Sequence, residues 1–311
     1  MKYALQRLAC AVAVFSTLFA QDSGIKVSIS PRVRKPAEDQ SKPLDAMRIA
    51  VNLVLVPVLV TDTYDRPVRG LNKDAFRLYE DGVEQKVTQF FSAERPNSIG
   101  ILFDASTSMQ KKMEESRQAV SRFLNLSMPG DEFFLYKFSN QPDQLCGFTT
   151  ETKVIEEALP TIQAKGWTAL YDAIYLGMNH MKRASRERKA LLVVSDGADN
   201  RSRYHEREIK RLVQEGDVRI FAISIQDKSP ELEKLAEESG GRAFRVKKLD
   251  DLSDVVLKIS QDLHSEYVLG YSPANQISDG KFRKLKVQTL PGTNGTLMRA
   301  SWRRGYYGPA E

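Results

Sequence analysis

The chain has 311 residues, with 46 Lys and Arg against 40 Asp and Glu for a formal net charge of +6. The positive charge is spread without a basic block or an aromatic-interleaved stripe, which argues against nucleic acid as a partner. Cys10 and Cys146 are the two cysteines, too few for a disulfide framework, so stability must come from hydrophobic cores, and the length suffices for two domains.

Lys2 and Arg7 precede an almost uncharged run from Leu8 to Ala20. The run is shorter than the roughly 20 apolar residues that span a bilayer and has the layout of a secretory signal peptide, residues 1–20, with cleavage expected after Ala20. Cleavage removes Lys2, Arg7 and Cys10 and leaves 44 basic and 40 acidic side chains with a single thiol, Cys146. The expected location is therefore periplasmic or secreted, and membrane attachment follows only if the segment stays uncleaved. Residues 21–46, rich in Ser, Pro, Lys, Arg, Asp and Gln, read as a flexible leader.

Residues 47–95 read as a β segment. A Val/Leu-rich strand covers Ile49 to Thr61, with Pro57 implying a sheet edge or bulge because proline donates nothing to the ladder. A short strand follows from Phe76 to Tyr79, then the hairpin signal Asp81-Gly82 and a strand from Gln85 to Phe91. The uninterrupted run Ile99 to Phe103 has the character of a strand buried on both faces of a parallel sheet. From there strands alternate with helices: helix Lys111–Ser127, strands Glu132–Phe138 and Gln144–Phe148, helices Lys153–Leu159 and Thr168–Arg183, strand Ala190–Ser195, helix Tyr204–Gln214, strand Val218–Ile225, helix Pro230–Glu238, strand Arg242–Val246 and a last helix carrying Leu249 to Leu263. Alternation of this kind over residues 96–266 predicts an α/β fold with a doubly wound, mostly parallel sheet.

Residues 267–311 return to β character, with strands at Tyr267–Tyr271, Arg283–Thr289 and Met298–Arg303. Isolated, they would be unstable. Because domain ends usually lie close together, they are expected to pair with residues 47–95 in one β-sandwich-like domain that flanks the α/β domain. Two separate small β extensions are the alternative.

The strand Ile99–Phe103 breaks into Asp104, Ser106 and Ser108. Short oxygen-bearing side chains just past the carboxyl end of a buried strand lie where open α/β sheets bind ligands, and oxygen is the donor that hard divalent cations choose. The same residues also cap helices well, so this stretch alone leaves both readings open. A second apolar strand ends in Ser195-Asp196-Gly197, and Thr168 follows Gly166-Trp167. If the strands ending at Asp104 and Asp196 are neighbours at a topological switch point, the five oxygen-bearing positions share one crevice.

Asp104-x-Ser106-x-Ser108, then Thr168 within Gly166-Trp167-Thr168-Ala169-Leu170-Tyr171-Asp172-Ala173, then Ser195-Asp196-Gly197 resemble the metal-ion-dependent adhesion site of the von Willebrand factor type A family. Val58-Leu59-Val60-Thr61-Asp62 and Tyr267-Val268-Leu269-Gly270-Tyr271 further resemble flanking segments of exported bacterial VWFA-related domain proteins. The resemblance implies that Ser106 and Ser108 coordinate Mg²⁺, with Mn²⁺ or Ca²⁺ as alternatives, through their hydroxyls. It implies that Thr168 coordinates directly or through water, and that Asp104 and Asp196 hold coordinated waters. It further implies a non-enzymatic adhesion or assembly module whose partner protein offers a Glu or Asp to the metal. A structural metal, with the β-domain carrying the interactions, is the second reading, and a metal-dependent hydrolase the third. Hydrolysis would need a placed general base, whereas His180, His205 and His264 all fall in predicted helices away from the strand ends. Trp167, standing where the family often has a small residue, and Asp199 are candidates for the ligand-binding rim, with core plugging the alternative for Trp167 and a helix-entry turn the alternative for Asp199-Asn200.

Overall fold

The computed structural model describes residues 53–92, 95–225, 229–290 and 297–310. The signal segment and leader expected for residues 1–46 lie outside them. Among the described residues no helix is long and apolar enough to cross a membrane.

Three short strands open the flanking region, β1 (Val54–Thr61), β2 (Phe76–Glu80) and β3 (Val83–Gln85), followed by β4 (Gln89–Phe91). The α/β region then runs β5 (Asn97–Asp104), α1 (Met113–Asn125), β6 (Glu132–Phe138), β7 (Pro142–Thr149), α2 (Thr152–Ala158), α3 (Leu170–His180), β8 (Arg188–Ser195), α4 (Glu206–Glu215), β9 (Val218–Ile225), α5 (Pro230–Ser239), β10 (Arg242–Val246) and α6 (Leu252–His264). The chain closes with β11 (Glu266–Tyr271), β12 (Phe282–Thr289), β13 (Arg299–Trp302) and β14 (Gly305–Tyr307).

The α/β sheet has the order β10-β9-β8-β5-β6-β7. All pairs are parallel except β6 with β7. Strand order runs one way from β5 and the other way from β8, so the switch point falls between them, with Phe103 opposite Val194 in the register. The expected doubly wound, mostly parallel sheet is what the chain forms.

Alternation along β5 explains both layers. Ile99, Ile101 and Phe103 pack beneath α1 and α6 with Val120, Phe123, Val256 and Ile259. Leu102 faces the other way into a second core with Ile174 of α3 and Leu191. Burying each such side chain contributes roughly 1.5–3 kcal/mol. Gly100 interrupts the apolar run because a Cβ there would lie 2.1 Å from the Phe134 ring and 2.7 Å from Leu191. Its missing side chain is the space into which Phe134 packs.

The flanking strands form two four-stranded sheets, β13-β1-β11-β4 and β14-β12-β2-β3. Val56, Val58 and Val60 of β1, Leu78 of β2, Leu269 and Tyr271 of β11 and Leu285 and Val287 of β12 share one core. N- and C-terminal segments thus interleave within each sheet, through β1 with β11 and β2 with β12.

Three local expectations need correction. The strand expected over Gln85–Phe91 is two pieces: β3 pairs with β2 in one sheet and β4 with β11 in the other, so the chain turns a corner between them. Pro57 lies in an interior strand rather than at an edge, yet pairing with β13 covers only Val58–Thr61, so Pro57 sits just past the reach of that neighbour. The helices expected from Lys111 and Thr168 start later, at Met113 and Leu170, because a 3₁₀ segment from Thr107 to Lys112 and an extended loop occupy the preceding residues.

Candidate metal centre

β5 and β8 end side by side, and their last residues set the centre of the site. The Asp104 carboxylate accepts from the Ser106 N–H at 2.8 Å and from the Ser195 hydroxyl at 2.6 Å. Ser106 and Ser108 hydroxyls stand 3.0 Å apart, and Ser108 Oγ donates to Asp196 Oδ1 at 2.7 Å. Oxygens about 2.1 Å from a small divalent cation in octahedral array lie about 3 Å from their neighbours. The Ser106–Ser108–Asp196 trio has that spacing, so these donors fit a hard cation.

The loops that carry the donors are tied to one another by hydrogen bonds. Thr107 N–H donates to the Gly166 carbonyl at 3.0 Å, and Gly166 N–H returns a bond to Thr107 Oγ1 at the same distance. Thr168 is buried; its N–H donates to Asn200 Oδ1 at 2.8 Å, and Asn200 N–H donates to the Thr168 carbonyl at 3.0 Å. That double link fixes Thr168 to the loop following Asp196. Asn200 and Ser195 therefore tie the site's loops together; in the sequence Asn200 reads with Asp199 as a helix-entry turn or a shaper of ligand choice, and Ser195 only as a neighbour of Asp196.

Electrostatics complete the picture. Burial pushes the Asp104 carboxyl up to about 6, against the opposing hydrogen bonds from Ser195 and Ser106. Among the described residues no Lys or Arg pairs with it. Asp196 differs: Lys112 Nζ lies 2.6 Å from its Oδ2, and both side chains are at most 10 % exposed. Nothing in the sequence pattern marked Lys112, because it lies 84 positions from its partner and at the end of the 3₁₀ segment after the serines.

The rim candidates separate. Trp167 is 61 % exposed beside Thr168, so it does not plug the core; its backbone N–H is held by Asn140 Oδ1 at 2.9 Å. The Asp199 carboxylate is occupied by the Tyr171 N–H and by Ser202, so it shapes the entry to α3 instead of presenting a free acid. The histidines lie elsewhere. His180 packs 4.5 Å from the Phe134 ring, His264 bridges Asp131 and the Ser260 carbonyl, and His205 caps α4 with Glu208. Cys146 is buried in β7, where its thiol donates to the Val154 carbonyl at 3.6 Å.

Residues 99–198 match the family model for the von Willebrand factor type A domain. The chain is 25% identical over 204 residues to inter-alpha-trypsin inhibitor heavy chain H4 of Sus scrofa, covering 59% of this chain and 22% of that protein. The human counterpart is 25% identical over 215 residues, covering 61% and 23%. The chain thus spans about a fifth of the length of the curated relatives it matches. Among solved structures, a von Willebrand factor type A protein from Catenulispora acidiphila superposes with a TM-score of 0.50 at 13% identity, over 83% of this chain and 74% of that one. Proximal thread matrix protein 1 from the mussel byssus, with zinc in its MIDAS motif, superposes with a TM-score of 0.51 at 17% identity, over 60% and 50%. These two share the fold. Together with the switch-point geometry, the match identifies the chain as one that carries a von Willebrand factor type A domain, a protein-interaction module.

Proposed function

We propose that the protein is an exported adhesion or assembly module that captures a Glu or Asp side chain of a partner protein through a divalent cation of the Mg²⁺ type. Asp104, Ser106, Ser108, Thr168 and Asp196 are the residues that would hold the cation. The carrying observation is the Ser106–Ser108–Asp196 oxygen trio at cation-ligand spacing, beside an exposed Trp167. When bound, the cation supplies a coordination position for an incoming carboxylate.

The residues favour that use. Ser106, Ser108 and Thr168 offer neutral hydroxyls, and Lys112 pairs with Asp196, so of the two carboxylates only Asp104 would offset the cation's charge without a competing partner. At about 4 Å and an effective dielectric of about 20, a unit charge pair is worth roughly 4 kcal/mol before desolvation. Trp167 offers a broad apolar surface next to the incoming acid, the residue type that dominates interface energetics. A purely bracing metal is disfavoured because the Thr107–Gly166 and Thr168–Asn200 bonds already brace the loops. Export rests on residues 1–20.

The test is a pull-down from an envelope extract of the source organism, run in Mg²⁺, in EDTA, and with Asp104→Ala in Mg²⁺. Partner capture in Mg²⁺ alone is expected, with at least a hundredfold loss of affinity in Asp104→Ala and an unchanged circular dichroism spectrum. Equal capture in all three conditions would move the interaction to the β-domain.

A further inference from the structure

Three segments carry the oxygen donors: residues 104–112 from the end of β5, residues 163–168 before α3, and residues 195–203 from the end of β8. Each brings its own cations. Lys111 and Lys112 follow Ser108, Lys165 precedes Thr168, and Arg201 and Arg203 follow Asp196. The acids of these segments are Asp104, Asp196 and Asp199, so five basic residues stand against three acidic ones.

Burial divides them by sign. Asp104 and Asp196 are buried, and the half-buried Asp199 has its carboxylate taken by the Tyr171 N–H and Ser202. Lys112 is buried against Asp196. Lys111, Lys165, Arg201 and Arg203 are exposed, and none of them pairs with a carboxylate among the described residues. Every exposed charged side chain of the three segments is therefore positive. The acids next along the chain are engaged elsewhere or recessed: Glu114 meets Arg117 and Gln118, Asp143 faces Lys137 at 3.7 Å, and Glu115 is half-buried in α1.

Backbone geometry brings these cations to the donors. In a 3₁₀ segment side chains three apart eclipse, so Lys111 stands with Ser108 on the exposed side of Thr107–Lys112, while Met109 and Lys112 share the buried side. The Lys165 N–H donates to the Ala105 carbonyl at 2.7 Å, which holds it beside the Asp104–Ser106 turn. Arg201 follows Asn200, whose N–H donates to the Thr168 carbonyl at 3.0 Å. Like charges gathered on touching loops repel one another, and a counter-charged ligand relieves that repulsion.

We propose that the partner segment engaged at the metal centre is a polypeptide acidic at several consecutive positions: one carboxylate goes to the cation, and those beside it pair with Lys111, Lys165 and Arg201. This rests on the carboxylate-capture reading above and adds the chemistry of the partner's flanking residues. An extended peptide advances about 3.3 Å per residue, so acids one or two places from the captured one come within reach of long cationic side chains that border the same donors. The positive field of the rim also favours encounter with an acidic segment over a neutral one.

The probes are pentaglutamate and Gly-Gly-Glu-Gly-Gly, both capped at their termini, titrated into the full chain by isothermal calorimetry in Mg²⁺ and in EDTA. Exposed charge pairs contribute about two- to fivefold each. The triple variant Lys111→Gln, Lys165→Gln, Arg201→Gln, changed only at exposed positions, should therefore weaken pentaglutamate in Mg²⁺ by about tenfold or more. The single-Glu peptide and the melting temperature should hold, and added salt should weaken pentaglutamate in wild type more than in the variant. Unchanged pentaglutamate affinity in the triple variant would overturn the acidic-segment assignment, leaving carboxylate capture intact where binding still needs Mg²⁺. Equal pentaglutamate binding in Mg²⁺ and EDTA, lost in the triple variant, would overturn capture and keep the cationic rim as the acid-binding surface. No binding of either peptide in Mg²⁺ would overturn both. Tetragalacturonate bound more tightly than pentaglutamate would overturn the polypeptide partner in favour of an acidic polysaccharide.

Discussion

The two ends of the parallel sheet are built from the same strands and treated in opposite ways. At the carboxyl ends of β5 and β8, Asp104, Ser106, Ser108 and Asp196 gather hydroxyls and carboxylates near the exposed Trp167, and Lys112 pairs with Asp196. At the amino ends buried cations and carboxylates pair with one another. Arg188 and Arg219 flank Glu266, and Glu132 accepts from Ser98 at 2.6 Å and from Ser185 at 2.7 Å. Asp131 accepts from Asn97 N–H at 2.7 Å and Met128 N–H at 2.8 Å, and lies 3.1 Å from His264 Nε2. One end gathers oxygen donors beside an exposed side chain; the other pairs buried charges where β11 begins. The difference teaches that binding and stability can be perturbed separately.

The sharpest break comes from Glu266→Gln. Removing the shared acid leaves Arg188 and Arg219 buried together, a change expected to cost about 3–5 kcal/mol of stability, measured by urea denaturation, with divalent-cation affinity unchanged. A drop in cation affinity would mean that the ends are coupled. Next is Asp131→Asn. Burial raises the Asp131 carboxyl, but hydrogen bonds from His264, Asn97 and Met128 outweigh it and hold it below its ordinary value of 3.8. Its contribution, about 2 kcal/mol for bonds to a charged group, is therefore fully present above pH 3.8 and lost as pH falls below it. The variant should be less stable at pH 7 and should converge on wild type in acid; parallel curves would contradict the assignment.

Effects at the open end should spare stability. Trp167→Ala is expected to weaken the captured partner by about 2 kcal/mol, roughly thirtyfold, without altering cation binding or melting temperature. Lys112→Met removes the charge that competes for Asp196 and should tighten Mg²⁺ or Mn²⁺ about tenfold, about 1.4 kcal/mol. Calorimetric titration of the cation decides it, and unchanged or weaker binding would show that Lys112 does not oppose the cation.

Local pattern carried much of this protein. The apolar runs ending at Phe103 and Ser195, the alternation of strands and helices, and the order of Asp104, Ser106, Ser108, Thr168 and Asp196 all follow from short-range side-chain chemistry. They were enough to specify the doubly wound sheet and to nominate the residues at its switch point. Tertiary structure decided what depends on pairing across distance. Lys112 meets Asp196 across 84 positions, and Arg219 of β9 meets Glu266 of β11. The strand expected over Gln85–Phe91 divides because its two ends find partners in different sheets. Pro57 stands in an interior strand because β13 stops one residue short of it. Hydrophobic periodicity reports which face of an element is buried, but it carries no term for which distant charge or strand edge will lie opposite, and those juxtapositions distinguish the two ends of the sheet.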